Sequence, residues 1–179
     1  MGMPDQQLRS SEMTIPQEVE SLGIGSTEGC LLRGVHREVL APTLVDLIPY
    51  VLTADQSGAM CVLGSAAGGH YTLPSAEAGL WFEFVETVSV TTSNVYTVKC
   101  ATGDFIAGVV VAGNLTIGAS GDVFTADGST HLGITENGST TGGLIGGSFV
   151  LTAISSTLWV LTQGVQMGSG TNLTPYITS

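Results

Sequence analysis

The sequence predicts an all-β protein: a single compact β-sandwich or β-barrel head preceded by an extended N-terminal arm. From Leu47 onwards, short runs rich in Val, Ile, Thr and aromatic residues alternate with turns containing Gly, Asn and Ser. No apolar periodicity of about 3.6 residues, the signature of a helix, is sustained along the chain. The leading residues, in contrast, contain no Phe, Tyr or Trp. We therefore predict an arm at residues 1–39 and a head at residues 40–179.

The charge balance excludes nucleic acid as a partner. The chain has 4 Lys and Arg against 15 Asp and Glu, a net charge of −11, whereas binding to phosphates requires clustered cations. Charged residues make up 11% of the chain, less than half of the roughly 25% of an average soluble protein. A surface built largely from Thr, Ser and Gly tolerates close protein neighbours.

Targeting signals are also missing from the sequence. The first residues lack the basic and apolar regions of a signal peptide. The longest uncharged apolar run, residues 105–113, is far shorter than the roughly 20 residues that span a bilayer. We expect no membrane partner, and we expect the three cysteines to stay reduced in the cytoplasm where the protein is made.

The arm is expected to gain its order from neighbouring chains. Ordering 39 residues costs about 1–2 kcal/mol each, or roughly 40–80 kcal/mol. Offsetting that cost needs on the order of 1,600–3,200 Å² of apolar burial, which the few apolar side chains of the arm do not supply on one small head. The residues of the arm that we predict to bind partners are Arg9, Leu31, Leu32, Arg33, Val35 and Arg37. For Arg33 and Arg37, which flank His36, a solvated face of one helical turn is an equally good interpretation.

Alternating patterns predict the strands of the first part of the head. These strands are expected at 47–53, 59–63, 70–73, 80–86, 95–100 and 105–112. Pro49 cannot donate a ladder hydrogen bond, so it confines the first of them to a sheet edge. Phe82 and Phe84 share one face of their strand. The run Phe105–Ala112 is apolar throughout, which predicts a strand buried on both faces.

The second part of the head is richer in glycine. Short strands are predicted at 115–117, 123–125 and 131–135, joined by tight turns. Residues 148–154 and 158–163 then give the strongest hairpin signal, with Phe149, Leu151 and Ala153 alternating along one strand. No repeat at a fixed period is visible.

The search for catalytic and metal-binding patterns is negative. The chain contains none of the nucleophile, zinc-protease, phosphate-loop or dinucleotide motifs. Its three histidines are far apart, and none has a second ligand at metal spacing. Glu83 and Glu86 fall on opposite faces of a regular strand and do not form an acid/base pair. We therefore predict no catalytic, cofactor-binding or metal-binding residues and no enzyme activity.

Two further patterns have a structural and a functional interpretation. Asp122 and Asp127 could share a calcium-binding loop, but the D-x-D-x-D-G pattern is missing, which favours a turn at Asp127-Gly128. Trp81 and Trp159 could stack on sugar rings, but both lie in apolar strands, which favours a role in the core or at a subunit interface.

Residues 47–179 resemble a known family of viral proteins. The resemblance is carried by Ser57-Gly58, Thr72-Leu73-Pro74, Gly79-Leu80, Phe84-Val85 and Gly108, and by an ending with Trp159, a glycine-rich turn at 164–170 and Thr174-Pro175-Tyr176. These features are similar to those of the small capsid decoration (cement) proteins of tailed bacteriophages, a type common in cyanophages and marine phages.

The resemblance implies a structural role in the virion. Such proteins have no catalysis and no cofactor, bind the major capsid protein on the outer surface of the head, and often form homotrimers. We therefore expect a protein that bridges neighbouring capsid subunits and stabilises the shell. The alternative is a phage tail, fibre or receptor-binding module that recognises glycans, since related β-modules occur there too.

Overall fold

The computed structural model describes residues 37–43, 48–115 and 120–178, and from Glu38 onwards they belong to one compact unit. Twelve strands and one short 3-10 helix, Ala54–Gln56, make up the regular structure of this part of the chain. The strands are β1 (Val39–Leu40), β2 (Tyr50–Val51), β3 (Met60–Leu63), β4 (Gly69–Thr72), β5 (Trp81–Glu86), β6 (Tyr96–Lys99), β7 (Phe105–Asn114), β8 (Asp122–Asp127), β9 (His131–Glu136), β10 (Ser148–Ala153), β11 (Leu158–Gly168) and β12 (Tyr176–Thr178).

The strands form two packed sheets, so the head is a β-sandwich. Sheet one has seven strands in the order β1-β3-β5-β10-β11-β7-β8. Sheet two has five strands in the order β12-β9-β6-β4-β2. In the strands that the structure describes, each sheet has two separate edges, which is the arrangement of a sandwich and not of a closed barrel. The all-β prediction for the head is confirmed.

The first six strands wind back and forth between the sheets. Strands β1, β3 and β5 lie side by side and parallel in sheet one, and β2, β4 and β6 do the same in sheet two. In sheet one Val39 pairs with Met60, and Met60 pairs with Glu83, spacings of 21 and 23 residues. In sheet two Gly69 pairs with Tyr96, a spacing of 27 residues. Because the number of residues between paired positions varies, the regular alternation of the chain between the two sheets produces no repeat of fixed length in the sequence.

An aromatic row fills the space between the sheets. The ring centroids of Tyr50 and Tyr71 are 5.6 Å apart, those of Tyr71 and Phe84 5.5 Å, and those of Phe84 and Phe149 4.9 Å. Tyr71 comes from sheet two, whereas Phe84 and Phe149 come from sheet one. Such contacts add about 0.5–1.5 kcal/mol per pair to the gain from burial, so this row holds the two layers together.

Tyrosine hydroxyls make polar links between the same layers. The hydroxyl of Tyr71 donates to the carbonyl of Val62 in sheet one at 3.1 Å, and that of Tyr176 donates to the carbonyl of Gly108 at 3.2 Å. The hydroxyl of Tyr96 donates to the carbonyl of Val88 at 3.0 Å. Each of these three tyrosine hydroxyls therefore has an acceptor, as burial in an apolar core requires.

Several strand predictions are confirmed by this arrangement. Strand β2, which follows Pro49, lies at an edge of sheet two. Strands β10 and β11 form the predicted antiparallel hairpin, and its inward residues Phe149, Leu151 and Ala153 are buried. Of the predicted strand 115–117, only Leu115 lies within the described residues, and it follows the end of β7.

Candidate binding surface

The outer side of sheet one carries an apolar face that the described residues leave exposed. We define the valine face as Val109, Val111, Val123 and Val165, whose exposed fractions are 45%, 48%, 64% and 49%. Val111 pairs with Val123 across β7 and β8, and with Val165 across β7 and β11. Directly paired residues point to the same side of a sheet. Three adjacent strands, about 4.8 Å apart, therefore present a continuous row of valine side chains to solvent.

The prediction that Phe105–Ala112 is buried on both faces is wrong. In β7 only the alternate residues Ile106, Val110 and Ala112 are buried, while Val109 and Val111 face outward. An uninterrupted apolar run indicates that both faces of a strand avoid water, but within the described residues only one of them is covered. Val109 and Val111 are therefore apolar residues of this run that the rest of the described structure leaves exposed.

Acidic residues lie at both ends of β8, beside the valine face. Asp122 starts the strand and accepts a hydrogen bond from Nδ2 of Asn172 at 2.9 Å. Asp127 ends it and accepts the backbone N–H groups of Ser129 and Thr130, each at 2.9 Å. These donors lower the pKa of Asp127 well below its usual range. Asp127 pairs with Ala107 and lies on the same side of sheet one as the valines, whereas Asp122 pairs with the buried Ala112 and lies on the other side. Asp127 therefore places a carboxylate at the rim of the valine face.

The same two aspartates settle the calcium question raised by the sequence. They occupy opposite ends of a six-residue strand, which places them roughly 17 Å apart at about 3.4 Å per residue, so they do not share a loop. Asp127 closes the turn at Gly128, whose φ is +76°, as the turn interpretation predicted. In the described ranges, no group of three or more His, Cys, Asp or Glu side chains is placed to hold a metal ion.

Among the described strands, β8 also forms an edge of sheet one. A strand at an edge leaves one row of backbone N–H and C=O groups without partners in the sheet, and proteins usually protect such edges with charge or by covering them. Here the charge stands only at the two ends, Asp122 and Asp127, while the middle of the strand is Val-Phe-Thr-Ala. The edge and the valine face together make one continuous surface suited to a protein partner.

Of the arm residues predicted to bind partners, only one lies in the described part of the chain. Arg9, Leu31, Leu32, Arg33 and Val35 lie outside the described residues, and their role stays a prediction. Arg37 is described and exposed. The first strand begins at Val39, so the structure adds this last residue of the predicted arm to the head.

The tryptophans separate into a core residue and a partly exposed one. Trp159 is completely buried and its ring centroid lies 6.0 Å from that of Phe82, which confirms the core interpretation. Trp81 is half-buried on the outer side of β5, where it packs against Gly58. Trp159 therefore cannot stack on a sugar ring.

Sequence reasoning missed a pair of buried carboxyl groups. Glu86 and Glu136 are each 1% exposed and face each other between the two sheets. The prediction that Glu83 and Glu86 point to opposite faces is confirmed, since β5 buries Phe82, Phe84 and Glu86 and leaves Glu83 half-buried on the other side. The sequence signal was that Glu86 continues the inward alternation of the two phenylalanines.

Comparisons with protein-family models, with characterised proteins and with solved structures found no significant match to the chain. The structure also has no helix, in the part of the chain that it describes, with the length and apolar character to cross a bilayer. The functional argument therefore rests on the residues of this chain.

Proposed function

We propose that the chain is a capsid decoration protein, which binds the outer surface of a phage head and bridges neighbouring subunits of the shell. The observation that carries the proposal is the valine face, because an apolar sheet face in a soluble protein normally serves as a contact surface. The resemblance of residues 47–179 to phage decoration proteins indicates that the partner is a subunit of a capsid shell. The major capsid protein is then the proposed partner, and the virion the proposed location.

The charge around the valine face indicates what such a partner presents. The centre of the face is apolar, its rim carries Asp127, and the whole chain has a net charge of −11. Two copies of the chain would bring like charges together if they packed through this face, which costs binding energy. We therefore assign the valine face to a shell subunit with an apolar patch ringed by Lys or Arg, and the proposed trimer to another surface.

Many weak contacts suffice for such a role. A closed shell presents the same docking position to every copy, and a bridging protein engages more than one subunit at a time. Linked contacts act at a high effective concentration, so the combined affinity exceeds that of each contact by about 10²- to 10⁴-fold. The valine face and the arm are the proposed two contacts of each copy.

The number of copies per particle tests the proposal. A decoration protein repeats with the shell lattice and should be present in hundreds of copies per virion, quantified by mass spectrometry against the major capsid protein. A tail or fibre module should be present in few copies. A count at the level of tail proteins would contradict the proposal and favour the alternative.

One observation supports the receptor-binding alternative. A hollow of about 220 Å³ on sheet two is lined by Pro49, His70, Tyr71, Thr72, Thr97 and Lys99. Lys99 is the only cation of the sequence after residue 39, so the hollow combines a positive charge with hydroxyl groups and an imidazole. Binding of sialylated or other acidic glycans that is lost in Lys99→Ala would support this second role.

Removing the arm tests its contribution separately. The truncation should stop at residue 36, because Val39 and Leu40 form β1 and pair with β3. We expect the truncated protein to stay folded, because residues from Glu38 on form their own compact unit, but to be lost from phage heads during sedimentation. Full retention on the heads, with a normal far-UV circular dichroism spectrum, would remove the arm from the mechanism.

A further inference from the structure

The buried carboxyl pair joins the two sheets at one end of the sandwich. Glu86 is the last residue of β5 in sheet one, and Glu136 is the last residue of β9 in sheet two. Gln166 of β11, itself fully buried, donates its Nε2 to Oε1 of Glu136 at 2.6 Å. Three side chains from three strands therefore form one buried polar cluster.

The cluster has more acceptors than donors. Both carboxyl oxygens of Glu86, Oε2 of Glu136 and Oε1 of Gln166 are buried and have no hydrogen-bond donor from the described residues. The other titratable group facing the pair is the hydroxyl of Tyr96, which already donates to the carbonyl of Val88. No described cation pairs with either carboxyl. Two buried negative charges that share the single donor of Gln166 would be very costly here, so this geometry requires added protons.

A glycine-rich segment closes tightly over the pair. A β-carbon at Gly147 would overlap Oε2 of Glu86, and one at Gly143 would lie 3.2 Å from Cβ of Glu136. Two backbone hydrogen bonds join Glu86 to the same segment. The carbonyl of Glu86 accepts from the N–H of Gly146, and its N–H donates to the carbonyl of Gly147, each at 3.0 Å. Residues 143 and 147 therefore pack directly against the side chains of Glu136 and Glu86.

We propose that Glu86 and Glu136 hold protons at neutral pH and form a latch between the two sheets, which opens when both carboxyls ionise. In the closed state the carboxyl proton of one glutamate supplies the donor that the other lacks. On opening, the protons pass to solvent, the two carboxylates repel each other, and water enters beneath residues 142–147. This device is independent of the proposed role on the capsid.

The electrostatics of the pair agree with this geometry. Burial raises the pKa of Glu86, and the neighbouring Glu136 raises it further. Burial also raises the pKa of Glu136, and the hydrogen bonds from its partners only partly oppose the shift. When a group has a higher pKa in the folded state, its contribution to stability is complete below the unfolded value, 4.5 for glutamate, and is lost as pH rises through the folded value.

The pH dependence of unfolding tests the latch. From pH 5 to 8, each proton that the folded state retains lowers the folding equilibrium constant by about tenfold per pH unit. We expect urea unfolding of the full chain to show a fall of ten- to a hundredfold per unit. In Glu86→Gln/Glu136→Gln this fall should disappear, because amides supply donors without titrating, and the double variant should be the more stable protein at pH 8.

The control is Glu83→Gln, which removes a carboxyl from the other side of the same strand and should keep the pH dependence of the wild type. Infrared spectra of the unmodified protein at pH 7 provide a readout that needs no variant, since a protonated carboxyl has its own carbonyl band. Equal slopes in the wild type and the double variant, or no such band, would overturn the proposal. So would stabilisation by calcium at pH 8 that is lost in the double variant, because a cation would then occupy these oxygens.

Discussion

Replacing Val111 with aspartate is expected to release the protein from phage heads while leaving its fold intact. Val111 stands at the centre of the valine face, paired with Val123 on one side and Val165 on the other. An interface that buries an unpaired carboxylate there loses apolar contact and gains a desolvation penalty. We expect a loss of about 2–4 kcal/mol per contact, roughly thirty- to a thousandfold in affinity.

The measurement, which tests the proposed capsid role, is co-sedimentation of purified variant with phage heads that lack the protein. Ile154→Asp is the matched control, because Ile154 is similarly exposed, at 57%, but follows β10 at the turn of the hairpin away from the valine face. The control should bind like the wild type. If Val111→Asp binds normally and Ile154→Asp does not, the assignment of the binding surface is wrong.

Replacing Trp159 with alanine is expected to cause the largest loss of stability among single core substitutions. The side chain is completely buried in β11 beside Phe82, and removal of a buried tryptophan costs about 3–5 kcal/mol. Urea unfolding at pH 5, where the latch between the sheets is closed, gives the free energy of unfolding for comparison with the wild type.

Trp81→Ala is the control for this experiment, since Trp81 is half-buried on the outer side of sheet one. It should cost about 1 kcal/mol, the central value for point substitutions. Trp159→Phe should cost less than Trp159→Ala, because Nε1 of Trp159 has no acceptor among the described residues and phenylalanine removes this orphan donor. Equal losses for Trp81→Ala and Trp159→Ala would contradict the assigned core.

Local patterns predicted those parts of the fold that depend on neighbouring residues. The alternation of Phe149, Leu151 and Ala153 identified both the inward face of β10 and its hairpin with β11. Pro49 identified an edge strand from its missing donor. The stacking of parallel strands was not predictable in this way, because it joins residues 21 to 27 positions apart through turns of variable length.

The amino-acid sequence did not predict the proposed binding surface or the proposed latch, and the reasons differ. For the valine face, the run Phe105–Ala112 gave the strand correctly, but the pattern does not tell a buried second face from an uncovered one. For the latch, Glu86 and Glu136 are 50 residues apart and lie in different sheets. Each nevertheless stands two positions after an inward apolar residue: Glu86 after Phe84, and Glu136 after Ile134. An acidic residue at an inward position was the signal available.

A reconstruction of the decorated phage head at side-chain detail tests the central claim most directly. It should place the outer side of β7 and β8 against a shell subunit, with Val111 and Val123 within van der Waals distance of apolar side chains and with basic residues near Asp127. Particles in which the protein is attached to the shell but these valines face solvent would contradict the account.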